Sequence, residues 1–216
     1  MRAAELIAEL QARANPANVA GMARFGINPA GTLGVSMAEI RRLARRAGRD
    51  HETALELWDS GIHEARILAT LVGEPARLTR GQMERWARDF DSWDVCDQAC
   101  MNLFRRSAHA WAMAEKWRRA RGEFVRRAGF ALVATLASLR GDDSAARFEE
   151  ALGWIAEAAT DDRNFVCKAV NWALRGIGKR NSRLRRRAIA TAKRIRRLDS
   201  RAARWIAADA LRELDT

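Results

Sequence analysis

Residues 91–100, DSWDVCDQAC, combine residue types that can do chemistry: acidic side chains, a tryptophan and two cysteines. On a helix, Trp93 and Asp97 lie on one face about a turn apart, with Asp94 near the same edge. A carboxylate beside an aromatic face suits a reaction that develops positive charge, because both groups attract a cation. The alternative is that Trp93 is a core residue and Asp94 a first-turn acid favoured by the helix dipole.

Two further stretches add aromatic and cationic side chains. NFVCKAVNWALR places Trp172 on a helix face with Lys168 and Arg175, and EFVRRAGFAL places Arg126 and Arg127 within an apolar helix. Adjacent helical residues diverge by about 100°, so at least one of these two arginines should approach a groove or a partner. A buried tryptophan and arginines that extend to solvent are the alternatives. Together the stretches predict an aromatic, acidic cleft within a basic surface.

The cysteines and histidines give no strong metal signal. Cys96, Cys100 and the distant His109 form only a weak zinc pattern, so we predict no metal and no cofactor, with these cysteines serving helix packing. With Cys167 the cysteine count is odd, which favours reduced thiols. His63 is expected at the surface, at a helix N-terminus, and receives no role.

The elements that position these residues should all be helices. The chain has 216 residues, 48% hydrophobic, with three prolines and no tyrosine, a composition that favours long uninterrupted helices. Periodicity predicts successive helices of roughly 10 to 18 residues with short links. Such helices pack as antiparallel pairs, which suggests an all-α solenoid of HEAT-like repeats, curved with a basic concave face. We expect a single domain over residues 1–216.

Local signals refine this description near the candidate site. The stretch GINPAGTLGV, residues 26–35, predicts a loop because of its three glycines and its proline. Ser36 and Glu39 predict a capping box at the start of the next helix. One continuous helix is expected over residues 92–105.

Positive charge is concentrated in the last third of the chain. The net charge is +12, but residues 163–204 hold fifteen Lys or Arg and one Asp, so the remainder sums to about −2. A concentrated positive field predicts a polyanionic partner, because cations that neutralise phosphates release counterions. A solvated arginine-rich surface is the alternative. No segment approaches a membrane span and the N-terminus lacks a signal-peptide pattern, so we expect a cytoplasmic protein without membrane contact.

Six segments follow one another along the chain: NPANVAGMARFGI with GVSMAEIRRLAR, LWDSGIHEARILATLV, DSWDVCDQ, FVRRAGFAL and FVCKAVNWALRGIGKRN. Through these segments, in family order, the chain resembles the bacterial DNA alkylation repair family of HEAT-like alkylpurine DNA glycosylases over most of its length. Their order and spacing are more specific than any one segment.

The resemblance implies roles for particular residues. Asp97, in the W-D-x-x-D segment, corresponds to the catalytic aspartate, and Trp93 to the first aromatic wall. Trp172 corresponds to the second tryptophan and Arg127 to the DNA-contacting arginine. The family can present a tyrosine where this chain has Phe25, which keeps the ring and loses the hydroxyl. The implied DNA contacts, made largely to phosphates along the concave face, come from Phe25, Arg126, Lys168, Arg175, Lys179, Arg180 and Arg183.

The family implies excision of N3- or N7-alkylated purines, such as 3-methyladenine and 7-methylguanine, from double-stranded DNA to initiate base excision repair. It also implies a monomeric bacterial protein that associates with the nucleoid through DNA. Two alternatives remain open: a non-catalytic HEAT-like protein that binds DNA or acts as a scaffold, and a scaffold for an acidic protein.

Overall fold

The computed structural model describes residues 1–139 and 145–215, and every regular element within these ranges is a helix. The prediction of an all-α chain is confirmed. None of the helices in these ranges is long and apolar enough to cross a membrane. The chain divides into two compact units, Met1–His109 and Ala110–Thr216. The expectation of a single domain stays a prediction.

The first unit contains seven α-helices among its described residues, connected mostly by short links. They are α1 (Ala3–Gln11), α2 (Pro16–Ala23), α3 (Met37–Ala47), α4 (His51–Asp59), α5 (His63–Val72), α6 (Arg80–Arg88) and α7 (Trp93–Gln98). A 3₁₀ turn, Pro75–Arg77, precedes α6. The long segment between α2 and α3 has no helix, as the glycines and proline of residues 26–35 predicted.

Aromatic packing forms the core of the first unit. The indoles of Trp58 and Trp86 stack with ring centroids 4.0 Å apart, and Phe90 and Phe104 pack around them. The indole Nε1 of Trp58 donates a hydrogen bond of 2.8 Å to Asp89, so its polar atom is satisfied although the ring is buried. This core holds α4 against α6.

The prediction of one continuous helix over residues 92–105 is wrong, because the segment is not a single regular α-helix. After α7 the chain widens into a π-helix at Ala99–Leu103 and then tightens into a 3₁₀ turn at Phe104–Arg106. Composition cannot reveal this change, because all these residues tolerate helical dihedral angles. π segments inside helices are rare and frequently mark functional sites, and this one begins two residues after Asp97.

The second unit contains six α-helices among its described residues. They are α8 (Ala110–Trp117), α9 (Glu123–Ala137), α10 (Ala145–Ala158), α11 (Asn164–Gly178), α12 (Ser182–Ile195) and α13 (Arg201–Leu214). The helix α9 packs along α11 and against α8. A Cβ atom on Gly129 would lie 2.6 Å from the backbone nitrogen of Arg118, so this close approach requires glycine.

Candidate active site and nucleic-acid interface

An open pocket of about 690 Å³ in the first unit brings together Trp93, Asp97 and Phe25. Trp93 and Asp97 lie one turn apart on α7, and both are half-buried. Phe25, which follows α2, is 73% exposed. Most of the remaining lining is apolar and comes from Ala17, Gly21, Met22, Ile27, Val35, Met37, Ile40, Ile67 and Met101. The pocket therefore combines aromatic side chains with carboxylates, Asp97 among them, in a largely apolar lining.

Hydrogen bonds attach the segment after α2 to the start of α7. The indole Nε1 of Trp93 donates to the backbone carbonyl of Phe25 at 3.0 Å. The backbone N–H of Asn28 donates to the Ser92 hydroxyl at 3.0 Å, and its side-chain amide donates to Asp91 at 2.8 Å. These bonds fix the orientation of the Trp93 ring and place Phe25 beside it.

Glu64 organises the loop that forms another wall of the pocket. This fully buried carboxylate accepts backbone N–H bonds from Leu33 at 2.8 Å, Gly34 at 2.6 Å and Val35 at 3.2 Å. Gly34 has a φ of 78°, and a Cβ there would lie 2.2 Å from the carbonyl oxygen of Asn15. The loop thus depends on one glycine and one carboxylate, and sequence reasoning missed both. The sequence signal that could have identified Glu64 is its position directly after His63, in the first turn of a helix.

His63 is buried, so its predicted surface position is wrong. Its Nε2 lies 2.8 Å from Oδ2 of Asp94, and both residues line the pocket. Burial disfavours the charged imidazolium, but the carboxylates of Asp94, Glu64 and Asp91 outweigh it and raise the pKa of His63 above its ordinary value. Asp94 therefore supports α7 through a pH-sensitive pair beside Asp97.

The stability supplied by the His63–Asp94 pair should depend on pH. Because the folded-state pKa of His63 is raised, this stability is fully present below the unfolded-state pKa of about 6.5 and is lost as pH rises through the folded-state value. We expect Asp94→Asn to lower the free energy of unfolding more at about pH 6 than at about pH 9. Denaturant titrations at both pH values measure this, with Asp59→Asn on α4 as the matched charge change. An effect of Asp94→Asn that is the same at both values contradicts the assignment.

The structure places Trp172, Arg127 and Arg126 in the second unit. Trp172 is half-buried on α11. Arg127 is buried on α9 and donates to the backbone carbonyl of Phe165 at 2.6 Å, while Arg126 pairs with Asp161 at 3.2 Å. The roles that the resemblance gives these three residues stay predictions.

Several of the predicted DNA-contacting cations pair with carboxylates of their own unit. Arg175 lies 2.9 Å from Glu213, which also pairs with Lys179, and Arg183 lies 2.8 Å from Glu149. Lys179 and Arg183 are exposed, and exposed ion pairs contribute only about 0–1 kcal/mol. A phosphate can therefore replace the carboxylate at these two positions at little cost.

Arg180 interacts with the end of α9 and with α10. Its guanidinium donates to the carbonyls of Ala137 at 3.0 Å and Leu139 at 2.7 Å, and it lies 4.7 Å from the centroid of the Phe148 ring. A cation at the C-terminus of a helix satisfies unpaired carbonyls and complements the dipole. Arg180 thus has a structural role in addition to the DNA contact predicted for it.

The described residues contain no group of three or more His, Cys, Asp or Glu side chains placed to hold a metal ion. The three cysteines are buried, and none forms a disulfide. Burial, together with Asp161, raises the pKa of the Cys167 thiol, so this thiol stays protonated at neutral pH.

Comparison with known proteins assigns the chain to a family. The model of the DNA alkylation repair enzyme family matches residues 6–214. This chain belongs to the DNA alkylation repair enzyme family. The match covers both units and includes every segment on which the resemblance was based.

A solved structure agrees with the fold of this family member. One structure, from "a new family of proteins related to the HEAT-like repeat DNA glycosylases with affinity for branched DNA structures", matches with a TM-score of 0.83 and 19% identity, covering 99% of this chain and 96% of that one. The HEAT-like repeat fold is therefore confirmed. A designed armadillo repeat protein has 15% identity and a TM-score of 0.39 over 82% of this chain and 92% of that one, which is too low to bear on the fold.

A curated relative of this family member is the uncharacterized protein Lin0241 of Listeria innocua serovar 6a. It is 26% identical over 117 residues, which are 52% of this chain and 52% of the relative. The match thus spans about half the length of that protein.

Proposed function

We propose that this protein is a DNA glycosylase that hydrolyses the N-glycosidic bond of cationic N3- or N7-alkylated purines, such as 3-methyladenine and 7-methylguanine, in duplex DNA. The observation that carries the proposal is that Trp93 and Asp97, one turn apart, share an open pocket with Phe25 in a member of the DNA alkylation repair enzyme family.

The reaction suits these residues because the leaving base is already positively charged. When the bond between C1′ and the base nitrogen breaks, its electron pair neutralises the base, so little acid catalysis is required. The sugar develops oxocarbenium character, which an ionised Asp97 stabilises. Water then adds to C1′, and Asp97 positions it and accepts its proton.

The aromatic residues would hold the cationic groups. Trp93 and Phe25 both line the pocket, and a cation over an aromatic ring gains about 0.5–2 kcal/mol. We assign Trp172 as the second tryptophan of the site and Arg127 as the DNA-contacting arginine, an assignment that rests on the resemblance. Phosphate contacts by Lys168, Lys179 and Arg183, which are exposed, would make affinity strongly dependent on salt.

The alternative is a protein that binds DNA without excising bases. The structure that matches with a TM-score of 0.83 is described as having affinity for branched DNA structures and as related to the glycosylases. A protein of this fold can therefore be described by its affinity for DNA and not by base excision. A scaffold for an acidic protein is a further alternative, which predicts no preference for DNA over other polyanions. For either glycosylase or DNA-binding protein, we propose a monomer in the bacterial cytoplasm, associated with the nucleoid.

Base release from a defined lesion distinguishes these functions. We expect the purified full chain to release 7-methylguanine from duplex DNA faster than the same duplex loses it without protein. A matched unmethylated duplex should release no purine. Binding of both duplexes without accelerated release would overturn the glycosylase proposal and favour the DNA-binding alternative.

A further inference from the structure

The second unit contains an open pocket of its own, between the first turns of α11 and α13. Its volume is about 580 Å³, within the usual range of ligand sites, about 300–1,000 Å³. The lining residues are Asp162, Asn164, Cys167, Lys168, Arg201, Ala202 and Trp205. Of these, only Lys168 received a predicted role from the sequence, as a phosphate contact, so the proposed glycosylase function does not use the rest of the pocket.

Trp205 provides the aromatic surface of this pocket. Its side chain is 45% exposed, and the only other aromatic residue among the exposed large hydrophobic residues of the described chain is Phe25. Trp205 lies four residues after Arg201 on α13, so the indole and the guanidinium share one face of the helix. An exposed indole beside a cation is suited to a flat ligand that carries negative charge.

The cations of the pocket are available to a ligand. Lys168 and Arg201 are exposed, and neither forms an ion pair with a carboxylate in the described part of the chain, in contrast to Arg175. Asp162 is the only carboxylate in the lining. The Cys167 thiol adds no charge at neutral pH, because burial raises its pKa. The lining therefore has a net positive charge.

We propose that this pocket binds an unpaired nucleotide of single-stranded DNA, with the base stacked on Trp205 and the adjacent phosphates contacted by Lys168 and Arg201. Stacking on an aromatic side chain combined with phosphate contacts is the usual way in which proteins bind single strands without reading their sequence. Asn164, exposed at the pocket edge, supplies an amide that can both donate to and accept from a base edge.

The geometry favours an unpaired base over a duplex or an acidic peptide. A base within a duplex is already stacked on both faces, so its ring is not available to the indole. An acidic peptide would satisfy the two cations but leaves the exposed indole face without a planar partner. The surrounding field is also suited to a phosphate chain, because residues 163–204 carry fifteen Lys or Arg and one Asp.

Fluorescence anisotropy with labelled oligonucleotides and the full-length chain tests this proposal. Three probes of equal length are used: a single strand, a single strand of abasic nucleotides, and a blunt duplex. We expect Trp205→Ala to weaken binding of the base-containing single strand about tenfold and binding of the abasic strand and the duplex less than twofold. Trp205→Phe should restore most of the affinity, because it keeps an aromatic face.

The cations are tested in the same assay. Lys168→Ala and Arg201→Ala should each weaken both single strands and reduce the slope of log Kd against log salt concentration by about 0.7. Arg186→Ala, which removes an exposed cation of α12 outside the pocket lining, is the matched control and should change the slope less. Circular dichroism of each variant establishes that the helices are retained.

Equal losses on the base-containing and abasic strands for Trp205→Ala would overturn the stacking proposal. An unchanged affinity for every probe would overturn it as well. Displacement of the single strand by poly-glutamate at equal charge concentration, as effectively as by an unlabelled single strand, would show that the surface recognises charge alone and would favour an acidic protein.

The outcome does not depend on the glycosylase proposal. The probes contain no alkylated base, and the deciding variants, Trp205→Ala and Trp205→Phe, change a residue that has no part in the glycosylase proposal. A protein that releases no 7-methylguanine but loses single-strand affinity on Trp205→Ala would retain this site and lose the proposed function. A protein that releases 7-methylguanine but keeps its single-strand affinity on Trp205→Ala would retain the proposed function and lose this site.

Discussion

Asp97→Asn should slow the release of 7-methylguanine from duplex DNA about a hundredfold or more, while leaving the affinity for the duplex within about twofold. Asparagine has nearly the same shape and keeps an oxygen that can contact water. It lacks the negative charge that stabilises the developing sugar cation and cannot accept the proton of the attacking water. The loss should therefore be found in the chemical step.

Single-turnover measurements with excess protein isolate that step. The rate of spontaneous loss, measured without protein, is subtracted, because a cationic alkylpurine leaves slowly by itself. Asp59→Asn on α4 is the matched control: it removes one negative charge from an exposed position of the same unit and should leave the rate unchanged. If Asp97→Asn keeps more than about half of the wild-type rate, the catalytic assignment of Asp97 is wrong even when the wild-type protein releases base. The expected loss is that of a charged transition-state contact.

The distribution of residue types allowed the helical fold to be predicted, and the reason is physical. Apolar positions recur at helical spacing, and the chain has only three prolines to interrupt it. The pairing of Trp93 with Asp97 could also be predicted, because residues four apart on a helix share a face whatever the tertiary structure. The structure brings Phe25 beside these two residues, because the Trp93 Nε1 donates a hydrogen bond to the backbone carbonyl of Phe25.

Contacts between distant segments could not be predicted. The Ser36 hydroxyl accepts the N–H of Glu39 at 3.3 Å, as a helix cap requires. The predicted capping box also requires the Glu39 carboxylate to accept the backbone N–H of Ser36. In the described part of the chain this carboxylate instead pairs with Arg42 at 2.6 Å and Arg13 at 3.2 Å. Arg42, three residues further along the same helix, and Arg13, 26 residues away in the sequence, both compete for this carboxylate. Local spacing carries no information about the contact with Arg13.

For the same reason, the partners of the cationic residues could not be predicted. The concentration of Lys and Arg in residues 163–204 is visible in the sequence, but their partners are not. Arg175 interacts with Asp209 and Glu213 of α13, whereas Lys168 and Arg201 lie at an open pocket. A phosphate chain would bind Lys168 and Arg201 more readily than Arg175, because no carboxylate has to be displaced from them.

Glu64→Ala should destabilise the first unit by about 3 kcal/mol or more, a large fraction of the stability of a small domain. The Glu64 carboxylate is fully buried and accepts the backbone N–H groups of Leu33, Gly34 and Val35. Alanine leaves these donors without an acceptor, and each buried unsatisfied donor costs about 1–3 kcal/mol. Because this loop forms a wall of the pocket, its opening should also reduce base release.

Glu64→Gln distinguishes the hydrogen bonds from the general effect of a smaller side chain. One oxygen of Glu64 serves both Gly34 and Val35, and the other serves Leu33, so glutamine keeps the first acceptor and turns a donor toward Leu33. We expect a loss of about 1–2 kcal/mol, between wild type and alanine. Glu52→Ala, at an exposed position of α4, should change stability by less than about 1 kcal/mol.

Denaturant unfolding gives the total effect, and hydrogen exchange locates it. The amides of Leu33, Gly34 and Val35 should lose protection in Glu64→Ala, while amides of α11 in the second unit keep theirs. Equal loss of protection throughout the chain would mean that Glu64 supports the whole fold and not this loop. Protection lost at the three amides alone, together with slower base release, would link the buried carboxylate to the shape of the pocket in which Asp97 is proposed to act.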